Sequence, residues 1–213
     1  MHPANKPSNL SDAYWNSLSD AHKVLYARVR PLAKATYEVD VQLSHVESFL
    51  AGQSTDLASM GGALELEPDF QRGHVWTDEQ RIKYVESLLR GSAPRSILFN
   101  CPGWTSSNKP GDIPLHSFQC VDGLQRLTAV RKFMAGEFNV LGDLSAMHLK
   151  GSPFDPARYT LKVSVYEFKN RADLLQFYLD LNSGGTVHAA DELARVRRLY
   201  DEAVSVVQNK ARQ

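Results

Sequence analysis

The chain has 213 residues, 43% of them hydrophobic, enough to bury the core of one domain with helical appendages. Lys and Arg together number 24, as do Asp and Glu, so the zero formal charge excludes a global pull toward nucleic acid or anionic membrane and leaves only local patches for such contacts. No apolar run is long enough to cross a bilayer, the start Met-His-Pro-Ala-Asn-Lys-Pro-Ser lacks a signal-type segment, and Cys101 and Cys120 show neither Cys-x-x-Cys spacing nor paired His ligands, which argues against a disulfide scaffold or structural zinc and for a cytoplasmic protein.

In chain order, residues 1–36 read as a helical N-terminal extension, with Ser11 and Ser19 as N-caps and Leu18, Val24, Leu25, Tyr26 and Val29 as packing positions before Pro31. Val41 to Leu50 reads as a short helix and Gly52 to Gly62 as a polar loop. Leu64-Glu-Leu66 alternates as a brief strand that Pro68 stops. Thr77 caps a well-signalled helix with acids in its first turn and Ile82, Val85, Leu88 and Leu89 as its buried stripe, ending at Gly91. Arg95 to Asn100 is a strand, and Pro102 to Pro114, rich in Gly, Pro, Ser and Asn, is a loop. His116 to Asp122 is the next strand. It ends in an Asp-Gly turn that opens a helix with Leu124, Leu127, Val130 and Phe133 at helical spacing. A loop containing Gly151, Pro153 and Pro156 follows, then a strand, Tyr159 to Tyr166, and two helices, Arg171 to Leu181 and Ala189 to about Gln208. No internal repeat is present.

Three islands place Gln, Arg, Asn and Gly just outside these apolar elements. The most informative is Cys120-Val-Asp-Gly-Leu-Gln-Arg126. Gly123 lacks the Cβ that would block close backbone approach, and a helix N-terminus offers unpaired N–H groups and partial positive charge, so an anion there would meet the backbone and the Arg126 guanidinium together. These seven residues equally suit a strand-to-helix corner in which Asp122 merely caps the helix. The first island, Pro68 to Trp76, carries Gln71 and Arg72. Alone it also fits a surface arginine and a packing tryptophan. The third, Leu181-Asn-Ser-Gly-Gly-Thr186, alone fits a helix C-cap.

Together, and in this order, the islands resemble the DGQQR-motif branch of the ParB/sulfiredoxin superfamily, which includes the nucleotide-hydrolysing part of GmrSD-type restriction enzymes. Phe70-Gln-Arg-Gly-His-Val-Trp76, Val121-Asp-Gly-Leu-Gln-Arg-Leu-Thr128 and Leu181-Asn-Ser-Gly-Gly185 with Glu192-Leu193 carry the likeness, over roughly residues 37–200. Leu124 stands where the family motif has its first Gln, so a polar contact of some relatives is missing. The resemblance implies an α+β fold, a ParB/sulfiredoxin-like small mixed sheet with packed helices: a nucleotide-binding domain at 37–170 with a C-terminal helical segment at 171–213. It further implies a nucleoside triphosphate with Mg2+ at the Asp-Gly-x-Gln-Arg turn. Asp122, Gln125 and Arg126 would be catalytic, with Asp122 orienting water or the metal. Gln71, Arg72, Gly123, Arg126, Asn182, Gly184 and Gly185 would bind the nucleotide.

The implied activity is nucleoside triphosphate binding or hydrolysis in a DNA-processing or phage-defence system. The alternatives are a non-catalytic ParB-like DNA-binding switch gated by nucleotide, or metal-dependent DNA nicking. The family pairs this domain with a His-Asn-His nuclease, for which no room remains after Arg198, so DNA and a separate nuclease subunit are the expected partners. Arg195, Arg197, Arg198, Lys210 and Arg212 offer phosphate contacts or, since Asp201 and Glu202 interrupt them, a solvated face. A sulfiredoxin-like redox role would need a Cys where Leu124 stands, and Cys120 on the strand reads as a buried, inert thiol.

Overall fold

The computed structural model describes residue 6 and residues 10–71, 75–105, 111–182 and 190–210. The N-terminal helices α1 (Asp12–Ser17) and α2 (Asp20–Val29) start at Ser11 and Ser19, whose hydroxyls accept from the amides of Tyr14 and His22. Of their side chains only Trp15 is buried, and an Arg30–Asp180 ion pair of 2.5 Å ties the end of α2 to the C-terminal half of the chain.

The next segment departs from expectation. Tyr37–Gln42 forms β1, in which Val39 and Val41 alternate with charged neighbours, and the helix begins only after a 3-10 turn at Leu43–His45. That helix, α3 (Val46–Ser59), runs through Gly52 and the polar residues expected to be loop. Val46, Leu50 and Leu57, at helical spacing, bury one face, which suffices to carry the polar remainder on the solvent side.

Then come β2 (Ala63–Glu65), α4 (Asp78–Leu89), β3 (Ser96–Asn100), β4 (Ser117–Asp122), α5 (Leu124–Met134), the short α6 (Ala146–Leu149), β5 (Thr160–Tyr166), α7 (Arg171–Asn182) and α8 (Ala190–Lys210). The expected capping of α4 is present as a reciprocal pair: the Thr77 hydroxyl accepts from Gln80 N–H while the Gln80 side chain accepts from Thr77 N–H. Sequence reading missed α6 and a 3-10 turn at Pro156–Arg158, both inside the expected loop.

The strands form one mixed sheet in the order β1-β5-β3-β4-β2, and the fold is α+β. β1 with β5 and β3 with β4 are antiparallel, whereas β3 with β5 and β2 with β4 are parallel. Period-two alternation distributes the central strands over two cores. Ile97, Phe99, Phe118 and Cys120 join residues of α3, α4 and α5 on one face, and Leu98 and Val121 join α7, α8 and Phe70 on the other. Among the described residues no helix is long and apolar enough to cross a membrane.

Candidate functional site

The corner between β4 and α5 is held in a conformation only glycine adopts readily. Gly123 has φ of +95°, and a Cβ there would lie 2.8 Å from Ile97 Cδ1 and 3.0 Å from the Ser96 carbonyl, so β3 passes directly beneath the turn. Gly123 is itself the N-cap of α5, among the described residues no side chain caps the helix, and the first intrahelical bond is Leu127 N–H to the Gly123 carbonyl, 2.9 Å. Asp122 therefore does not cap this helix. Its carboxylate instead pairs with the Arg126 guanidinium one turn on, where it is 32% exposed and the arginine side chain 19%. Arg126 Nε is buried and has no hydrogen-bond partner among the described residues.

Leu124, at the position where the family motif has Gln, is 3% exposed and belongs to the core beneath α5. The departure thus falls on a side chain directed into apolar packing, where leucine is the residue the environment favours. Cys120, two residues before the corner, is fully buried, and burial pushes its thiol up to about 12. The expected inert role fits this setting, since the reactive thiolate is unavailable near neutral pH.

The first island is fastened to the corner on both sides. The Gln71 amide donates to the Cys120 carbonyl at 2.7 Å, and the Gln125 side-chain oxygen accepts from the amides of Val75 and Trp76, both at 3.2 Å. Trp76 packs on Tyr84 with ring centroids 5.4 Å apart, as a packing tryptophan does. Arg72 lies outside the described residues, as do Gly184 and Gly185. Asn182 ends α7, its amide donating to the Tyr178 carbonyl at 2.7 Å, and Tyr178 in turn meets Phe70 edge-on at 5.6 Å between centroids. The structure thus joins Gln71, Gln125 and the corner directly, and it links the Asn182 helix to the first island through Phe70.

Arg195 has a part in this assembly that its sequence context does not disclose. From α8 its guanidinium donates to the carbonyls of Phe70, 3.2 Å, and Gln71, 2.8 Å. Its partners lie more than 120 residues upstream, so no local pattern signals the contact, whereas Arg197 and Arg198 remain exposed as read. Among the described residues no cluster of three or more His, Cys, Asp or Glu side chains is disposed to hold a metal ion.

The family model described as the GmrSD restriction endonuclease, N-terminal domain, matches residues 55–167, a little over half of the chain. No curated protein and no solved structure matches. The matched stretch contains the whole β4–α5 corner and both fastenings of the first island, and it ends before α7 and Arg195.

Proposed function

The chain belongs to the family of GmrSD restriction endonuclease N-terminal domains, and from that membership we propose that it binds and hydrolyses a nucleoside triphosphate at the corner where β4 meets α5. Membership itself makes it a module related to restriction systems. The observation that supports nucleotide binding is the corner's construction: a helix N-terminus opened by Gly123, which has no side chain to cap it, and flanked by a guanidinium whose buried Nε has no hydrogen-bond partner among the described residues. First-turn amides and the helix dipole favour an anion there, and Arg126 adds a directed charge.

In this reading Arg126 neutralises phosphate oxygens and Asp122 holds its guanidinium in place. Asp122 together with phosphate oxygens would hold Mg2+, which prefers one or two carboxylates plus substrate phosphates to a cage made by the protein alone. Gly123 lets the phosphates approach the backbone. Gln71 and Gln125 tie the described parts of the first island to the corner, and nucleotide-binding roles for Arg72, Asn182, Gly184 and Gly185 are part of the proposal. For Gln125 to position a nucleophilic water, its oxygen has to leave the amides of Val75 and Trp76, so turnover requires that segment to shift.

That engagement favours a second reading, in which the chain is a nucleotide-gated DNA-binding switch with negligible turnover. In both readings DNA and a separate nuclease subunit are the partners. A thermal-shift screen of the four ribonucleoside triphosphates with Mg2+ tests the binding proposal: at least one raises the melting temperature progressively with concentration, and no shift with any of them removes the proposal. Phosphate release measured with and without DNA then separates the enzyme from the switch.

A further inference from the structure

We propose that Arg81 is a second guanidinium of the phosphate site, reaching from α4 the same polyphosphate that Arg126 reaches from α5. The inference rests on the nucleotide reading of the corner and narrows its ligand to an anion with two or more linked phosphoryl groups.

Two contacts set α4 and α5 side by side in the same direction. At one end the Gln125 oxygen accepts from Val75 and Trp76, just before α4 begins. At the other, the Glu86 carboxylate accepts from Leu141 N–H at 2.8 Å, beyond the end of α5. The first turns of the two helices therefore lie level, and they contain Arg81 and Arg126. Helical spacing puts Arg81 on the stripe of Tyr84, Val85 and Leu88, all three buried. Tyr84, one turn below Arg81, lies within the field of Arg126: burial pushes its hydroxyl up to about 12 while the Arg126 charge acts in the opposite direction.

The methylene stem of Arg81 can pack on that stripe, but an aliphatic residue would do so without desolvating a charge, so the buried guanidinium calls for a polar partner. Its side chain is only 13% exposed, although the Asp78 carboxylate that it meets at 2.5 Å is 82% exposed. Its Nε is buried and unpartnered. Among the described residues Arg81 Nε and Arg126 Nε are the two buried side-chain polar atoms without a hydrogen bond. Leaving a buried donor unbonded forfeits its hydration with nothing in return, a situation that persists at sites built for a ligand. Each guanidinium is held by a carboxylate of its own corner, Asp78 for one and Asp122 for the other, and each keeps donors for an anion. Two such forks on adjacent helices suit a chain of phosphates better than a single one.

The test titrates inorganic tripolyphosphate and inorganic phosphate, each with Mg2+, into the unaltered chain, Arg81→Met and Arg81→Lys. Methionine keeps the buried aliphatic stem, and lysine keeps the charge but loses the fork and Nε. Arg81→Met is expected to lose about tenfold or more in tripolyphosphate affinity and less than about threefold for phosphate, with Arg81→Lys in between, as removal of one charge-assisted hydrogen bond implies. Equal losses for both anions, or none, overturn the role of Arg81 while the corner reading stands, provided the unaltered chain binds tripolyphosphate. No binding by the unaltered chain defeats the corner reading and this inference with it. Should Arg81→Met fail to fold, an Arg81→Lys affinity for tripolyphosphate equal to that of the unaltered chain overturns the assignment, and a selective loss upholds it.

Discussion

On one face of the sheet, α4 and α5 press on Ile97, Phe99, Phe118 and Cys120. On the other, α7 and α8 press on Leu98 and Val121. The first face lies within the stretch that matches the restriction-enzyme family apart from α3 and β1 at its margin, and it carries the Gly123 corner. The second is built mainly from helices beyond that stretch, and it reaches the corner indirectly, through Arg195 and Phe70 onto the first island. One face therefore carries the corner proposed to bind the nucleotide, and the other holds the backbone of Phe70 and Gln71 beside it. Perturbing the first should remove the site, whereas perturbing the second should loosen it.

Gly123→Ala is the harshest way to break the first face. A left-handed φ and a Cβ forced against Ile97 and the Ser96 carbonyl are expected to cost roughly 2–5 kcal/mol, read as a fall in the urea unfolding midpoint, with loss of nucleotide binding. Leu124→Gln restores the family's usual residue, yet it buries an amide in an apolar core. We expect about 2–3 kcal/mol of destabilisation and no gain in phosphate release; a more active and equally stable variant would show that this position faces the site.

Arg195→Ala probes the second face. Losing its donation to two backbone carbonyls, from a partly exposed side chain, is expected to cost about 1–2 kcal/mol and to weaken nucleotide binding several-fold without abolishing it. Complete loss of binding would mean that Arg195 touches the ligand and that the division between the faces is wrong.

The smallest effect is one of pH. The thiol of Cys120 and the hydroxyl of Tyr84, both on the first face, are raised by burial to about 12, from ordinary values of 9.0 and 10.0. Protons are thus held more tightly in the folded chain, and the associated stability is full below pH 9 and is lost as pH climbs from there through 12. Urea midpoints should be flat to about pH 8.5 and fall beyond it. Cys120→Ala should remove the part of the fall that begins near 9.

The corner was legible in the sequence because its signals are local: a glycine between an apolar strand and an apolar-periodic helix, with Gln and Arg in the first turn. The start of α4 was legible through Thr77 and the acids of its first turn for the same reason. β1 was not, because Val39 and Val41 run straight into Leu43 and Val46, and the combined apolar positions imitate a helix. The second half of α3 hid behind Gly52 and a polar run whose only buried residue is Leu57. Arg195 and Arg81 were illegible for a different reason. The first acts across the chain on backbone carbonyls, and the second is a charged residue on a stripe otherwise read only for its apolar members.

The claim that the corner binds phosphate is tested most directly by calorimetric titration of the best triphosphate and Mg2+ into the unaltered chain and Arg126→Ala, with melting temperatures measured alongside. The account predicts that the variant keeps its fold, since Asp122 is 32% exposed and can be hydrated once its partner is gone, and that it binds no nucleotide. A folded Arg126→Ala that retains the affinity of the unaltered chain would contradict it.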